Sequence, residues 1–234
     1  MLIPRSNAVG EVMTILVGTP AKRYHLHKGV LRCLGGYFRA AVRDKNGFRE
    51  AATNTIVLDQ ESTDVFDRFT IFAYKGDFCS DGESEKEIGW KVLIDLFNFA
   101  DRRIIPKMQN KVIQVFAIKI DWDPNVVMPP KYLRYLYKTT LDGSSLRSLV
   151  VDAYAWNLRV ADDKLSVLER SSKRAFQRSW SMLADMDLTE LPSTFLFEVL
   201  KEVTKKAAKL SQTRSFSSIS AEYYVKELHD SAST

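Results

Sequence analysis

Apolar and polar positions change period several times along the chain, and each change marks an element. Val12 to Val17 is a β-branched, apolar run that stops at Gly18, and Thr19-Pro20 after it is turn chemistry. Tyr24 and Leu26 share one face of a second short run. A hairpin of two strands is therefore predicted, with Gly18-Thr19-Pro20-Ala21 at the turn. Between Val30 and Val42 the apolar residues Val30, Leu31, Leu34, Tyr37, Phe38, Ala41 and Val42 recur at spacings of three and four. That pattern predicts one amphipathic helix or two abutting ones. Gly35-Gly36 in its middle costs about 1 kcal/mol per glycine against alanine, so a break is expected there. Thr55 to Leu58 reads as a third strand. Ser62, Thr63 or Asp64 offers an N-cap for a helix carrying Val65, Phe66, Phe69, Phe72 and Ala73, which ends at Lys75-Gly76. Residues 77–87 are polar, acidic and aperiodic, and read as an exposed, mobile loop. The clearest helix runs from about Glu87 to Asp101 on a stripe of Ile88, Val92, Leu93, Leu96, Phe97 and Ala100. Pro106 suits the first turn of the next helix, whose buried side is Met108, Val112, Ile113, Phe116, Ala117 and Ile120.

After Trp122-Asp123-Pro124 the texture becomes wholly helical. Tyr132 to Tyr137 is a short aromatic helix, and Asp142-Gly143-Ser144 a turn and cap. Leu146, Leu149, Val150, Ala153, Trp156 and Val160 mark a long helix. A further helical stretch is expected from about Asp162 to Leu183. Pro192 opens a last helix through Phe195, Phe197, Val199 and Leu200. Serines crowd residues 211–220, and the end of the chain reads as loosely ordered. No internal repeat is visible. The predicted class is α+β, with short strands and helices first and an all-α part after them.

Composition narrows the class. The chain has 234 residues, 45% of them hydrophobic and 27% charged, which is enough apolar matter for a core and excludes a fibre or a wholly disordered chain. No apolar run approaches the roughly 18 residues needed to span a membrane. Met1 to Gly10 lacks the apolar segment of a secretory signal. The two cysteines, Cys33 and Cys79, are too few to staple a fold and suit a reducing compartment, so the cytoplasm or nucleus is expected. The net charge of +5 is spread along the chain, without the dense basic stripe that phosphate neutralisation needs. Lys201, Lys205, Lys206 and Lys209 come nearest, and read as a solvated helix face. Nucleic acid is not the expected partner, nor is a membrane.

Candidate chemistry is sparse. His25 and His27 are read as pointing apart rather than toward one ion, and zinc needs three or four converging ligands, so no metal is expected. Cys33 and Cys79 read as small hydrophobes in or near the core. No phosphate-cradling glycine loop or strained nucleophile turn occurs. Asp162-Asp163 and Asp121-x-Asp123 are carboxylates at helix starts, where the macrodipole accounts for them. No catalytic residue and no cofactor are indicated, and binding is the favoured class.

One stretch carries a family resemblance. It reads Val17-Gly18, Tyr24-x-Leu26-His27-Lys28-x-Val30-Leu31, Tyr37-Phe38, Phe48-x-Glu50, Ile56-x-Leu58, Phe66-x-x-Phe69 and Phe72-x-Tyr74-x-Gly76. In that order and spacing it resembles the BTB/POZ domain, and the likeness continues through the helices at 87–120. Phe99-Ala100-Asp101 with Ile105-Pro106, then Leu146-Arg147-x-Leu149-Val150-Val151-Asp152, resemble the fungal stand-alone BTB proteins with a helical extension. The organisation this implies is a lead at 1–11, a BTB/POZ domain at 12–122, a helical extension at 125–210 and a Ser-rich, loosely ordered tail at 211–234.

The resemblance implies a non-enzymatic protein–protein interaction module. Its first expected role is an adaptor recruiting a substrate to a cullin-type ubiquitin ligase. The alternative is a self-associating scaffold, such as a homodimer, or a transcriptional cofactor without a ligase role. In cullin-binding members a hydrophobic-x-Glu element makes the contact, which Phe48 and Glu50 match here. Val30, Leu31, Tyr37 and Phe38 serve either the core or a self-association face. Many dimers of the family set an Asp just before the first strand, opposite the basic residue after the histidine. Here that position is Val12, with Glu11 one residue earlier and Lys28 in the basic place.

Overall fold

The computed structural model describes residues 10–43, 49–122, 128–157, 191–206 and 220–225. The chain divides into two compact units between Val112 and Ile113. In the first, β1 (Val12–Val17) and β2 (Lys22–His27) form the expected antiparallel hairpin, with Val12 opposite His27 and Val17 opposite Lys22. The turn falls on Gly18 to Ala21, and the Thr19–Pro20 bond is cis. β3 (Thr55–Leu58) lies parallel to β1, Thr14 against Thr55, giving the order β2-β1-β3. Met13, Ile15, Val17, Leu26, Ile56 and Leu58 fill the buried face. Alternation puts Thr14, Leu16, Arg23, His25, Thr55 and Val57 on the other.

The glycine pair breaks the next segment as predicted, into α1 (Lys28–Leu34) and α2 (Gly36–Ala41) around Gly35. A short α3 (Arg49–Thr53), which the pattern did not indicate, precedes β3. α4 (Thr63–Lys75) starts after Ser62, whose side chain makes no capping bond, and stops where Gly76 turns left-handed at φ 75. There its N–H donates to the Phe72 carbonyl at 2.8 Å. α5 (Trp90–Arg102) and α6 (Pro106–Trp122) follow, with α6 running across the division between the units. Phe69 is the hub of the first unit's core. It stacks on Phe38 at 5.0 Å and meets Phe66 and Phe99, each at 5.0 Å. Burying each such ring stabilises by roughly 1.5–3 kcal/mol.

The loop at 77–87 is exposed only in part and is tied to α4 by specific contacts. Phe78 is fully buried and stacks on Phe72 at 5.3 Å. Arg68 reaches from α4 to the Phe78 carbonyl at 3.0 Å and grips Glu83 through two bonds of 2.6 and 3.1 Å. A capping box between Ser84 and Glu87 closes a 3-10 turn at Glu85–Glu87. The acidic character that suggested solvent instead supplies partners for Arg68 and for Lys111, which bonds Glu85.

The second unit contains α7 (Pro130–Thr139), α8 (Ser145–Asn157) and α9 (Ser193–Lys206). The helix expected at 162–183 lies outside the described residues. Arg147, buried in α8, clasps the end of α7. Its guanidinium donates to the Tyr137 carbonyl at 2.7 Å, the Thr140 hydroxyl at 2.8 Å, the Thr140 carbonyl and Asp142 at 2.5 Å. It also sits 4.4 Å from the centre of the Tyr137 ring. Phe195 of α9 meets Tyr154 and Tyr137 edge-to-face at 5.0 and 5.7 Å. In the stretch expected to be loose, Ser220–Tyr223 forms a 3-10 turn, and the buried Tyr223 donates its hydroxyl to Asp152.

Candidate protein-binding face

Glycine at position 36 builds one face of the first unit. Its φ is +48, and a Cβ there would stand 2.3 Å from the Arg103 carbonyl and 2.4 Å from that of Ile104. Only glycine lets the start of α2 approach the α5–α6 turn this closely. The approach is sealed by the Tyr37 N–H, which donates to the Arg103 carbonyl at 3.0 Å. Tyr37 is thereby held half-buried, with the Arg103 guanidinium 4.9 Å from its ring centre. Arg103 and Arg102 both donate to Glu61, at 3.0 and 2.8 Å. Glu61 is only 7% exposed, and these two cations compensate its burial.

Glu50 stands in the first turn of α3, half-exposed. The Tyr37 hydroxyl is pushed above its ordinary pKa chiefly by burial, then by the negative charge of Glu50, with Arg103 opposing. Glu50 thus acts on Tyr37 through its charge. Ile104 completes the patch, 53% exposed and held at φ 55, a conformation costly for a β-branched residue.

Phe48, the other half of the Phe48-x-Glu50 element, lies outside the described residues. Val30, Leu31 and Phe38 have no exposed surface in the chain, so of the four residues placed between core and partner face only Tyr37 reaches solvent. Phe38 is stacked on Phe69 and belongs to the aromatic core. Glu61, Arg103 and Ile104 were passed over in the sequence. The available signal was the adjacent pair Arg102-Arg103, set between a helix end and Ile105-Pro106, where solvent-facing lysines would have served a bland turn equally well.

The shifted acid before the first strand has a partner. Glu11 accepts from Lys28 Nζ at 2.9 Å, and its carbonyl accepts the Lys28 N–H at 2.8 Å. That hydrogen bond holds the Glu11 carboxyl below its usual range. Residues two apart on a strand share a face, so alternation alone would bring His25 and His27 together. Their rings nonetheless have different partners. The His27 ring meets the Tyr74 hydroxyl at 2.8 Å, whereas the His25 ring lies against Thr14 at 3.4 Å. Cys33 is exposed, contrary to the expectation of a core position. Burial, reinforced by Asp77, Glu83 and Glu85, pushes the Cys79 thiol up to about 11, so it stays protonated near neutral pH.

This face offers a half-buried aromatic, an aliphatic side chain and fixed charges of both signs. That suits recognition of another protein surface, where buried aromatic anchors and oriented charges carry the energy. A comparison of the whole chain with curated proteins found no match. The family model of the BTB/POZ domain matches residues 12–115, from the first residue of β1 into α6. With the hairpin, the parallel third strand and the helices of the first unit in place, residues 12–115 are a BTB/POZ domain, a protein–protein interaction module.

Proposed function

We propose that this protein is a non-enzymatic adaptor that recruits a substrate to a cullin-type ubiquitin ligase. In this reading residues 12–122 dock the cullin scaffold, and the helical extension at 125–210 carries the substrate. The observation that carries it is the Phe48-x-Glu50 element, whose Glu50 stands half-exposed in the first turn of α3. An orienting carboxylate beside aromatic and aliphatic surface is the economy of a binding hot spot. The test is a pull-down of purified protein with the host's cullin scaffold, wild type beside Phe48→Ala with Glu50→Ala. The adaptor reading expects binding that the double substitution abolishes while circular dichroism stays unchanged. Wild type that binds no cullin sinks it, and retained binding by the variant moves the contact elsewhere.

The alternative, a self-associating scaffold or transcriptional cofactor, draws support from the Glu11–Lys28 pair, which restores an acid beside the basic residue after His27. It expects a concentration-dependent mass in sedimentation that Lys28→Glu lowers. A monomer at all concentrations counts against it.

A further inference from the structure

α9 displays three neighbouring apolar side chains to solvent: Leu196 at 37% exposure, Phe197 at 69% and Leu200 at 62%. At 100° per residue they fall on one arc of the helix, and the buried Phe195 and Val199 fall on the other side. The orientation is fixed, because Phe195 is wedged against Tyr154 and Tyr137. The helix also sorts its charges. Glu198 is turned to the Tyr137 hydroxyl, which donates to it. Glu202 is mostly buried and lies 3.8 Å from Lys205. Lys201 and Lys205 stand exposed along one border of the apolar arc. The outward surface of α9 is therefore an apolar strip edged by positive charge, with the helix's acids turned away from it.

We propose that this arc docks an amphipathic helical segment of a partner protein whose apolar face is bordered by Asp or Glu. Leu196 to Leu200 rises about 6 Å, one helical turn, which matches anchors spaced three and four residues apart. Acids beside those anchors meet Lys201 and Lys205. A second copy of the chain fits less well, since a twofold contact would gather four lysines on one seam without outward-facing acids. A lipid surface also fits less well. Three side chains on one helical turn offer little apolar area to bury in the acyl boundary. The inference deepens the adaptor reading, in that the docked segment would belong to the recruited substrate, but the docking itself requires no cullin.

The test measures fluorescence anisotropy of two labelled 18-residue helical peptides against the full chain. Both carry the same leucine face, bordered in one by Glu and in the other by Lys. The Glu peptide should bind at least about fivefold more tightly, as two exposed charge pairs allow. Phe197→Ala with Leu200→Ala should weaken it about tenfold or more without altering circular dichroism. Lys201→Glu with Lys205→Glu should reverse the preference. Equal affinity for both peptides, absence of binding, or unchanged binding by the Phe197/Leu200 variant would overturn the proposal. So would a concentration-dependent dimer abolished by Phe197→Asp, which would assign the strip to a second copy. Cosedimentation with phosphatidylserine vesicles lost in the same variant would assign it to lipid and overturn the proposal equally. A cullin pull-down run in parallel keeps the two readings apart. Peptide binding without cullin binding sinks the adaptor and keeps the docking strip, and the reverse result sinks the strip alone.

Discussion

Both units bury an apolar core, and they differ in what packs there and in how polar groups tie the elements together. The first is closed by aromatic packing, with Phe69 meeting Phe38, Phe66 and Phe99. Its polar clasps, Arg68 on Glu83 and two arginines on Glu61, tie down turns around that core. The second also buries an apolar core, with Leu133, Leu136, Leu146, Leu149 and Phe195, and adds polar clasps between its helices. Arg147 gathers the end of α7, Tyr137 bonds Glu198, and Tyr223 bonds Asp152. The first unit hides its large apolar residues and leaves Ile104, Val12 and Val57 apart on its surface, whereas the second groups three on one helix. An aromatic core tolerates small polar changes at its edge. A polar clasp concentrates stability in a few groups that cannot lose one partner cheaply.

The sharpest way to break the contrast is Gly36→Ala. A left-handed backbone and a 2.3 Å approach to a carbonyl should together cost about 4 kcal/mol, seen as a lower urea midpoint reported by the first unit. Arg147→Ala should come next, at about 3 kcal/mol, because two carbonyls and the Thr140 hydroxyl lose their donor together and the buried side chain leaves a void. Hydrogen exchange should place that loss in α7 and α8. Loss confined to the first unit would refute the clasp.

pH should separate the units more gently. Glu83 is held below the usual carboxylate range, chiefly by its hydrogen bonds from Arg68. Its contribution is present above the unfolded value near 4.3 and fades as pH falls through the lower folded value. Burial pushes the Tyr137 and Tyr154 hydroxyls well above 10, further than Tyr24 or Tyr37. That contribution is present below pH 10 and is lost as pH rises beyond it, when the unfolded tyrosines ionise and the folded ones do not. Exchange should thus accelerate at residues 77–87 in acid and in α7 and α8 in alkali. The reverse order would contradict the assignment. The smallest expected effect is a gain: Ile104→Gly should raise stability by about 1 kcal/mol by relieving the left-handed strain. If the exposed isoleucine serves a contact, the same change should weaken cullin binding.

Much of this molecule was legible in its sequence because the signals were local. The β-branched, apolar run from Val12 to Val17, the three-and-four spacing of Val65 to Ala73, Pro106 and the glycine pair each act on their own backbone, and each element formed where they point. The ordered aromatic, His-Lys and Tyr-x-Gly pieces marked the BTB/POZ domain for the same reason. What only the tertiary structure decided involves partners distant in sequence. The parallel pairing of β3 with β1, the pinning of residues 77–87 by Arg68, and the gathering of Tyr37, Glu61 and Arg103 span up to 66 residues between partners. Periodicity records which residues turn inward, but not which inward-turning residue meets which. It could not tell that Phe38 packs in the core while Tyr37 beside it reaches solvent, nor that Glu83 and Glu85 answer Arg68 and Lys111 rather than water alone. Those outcomes depend on close packing and on compensating each buried charge, and both are settled only when the whole chain is in place.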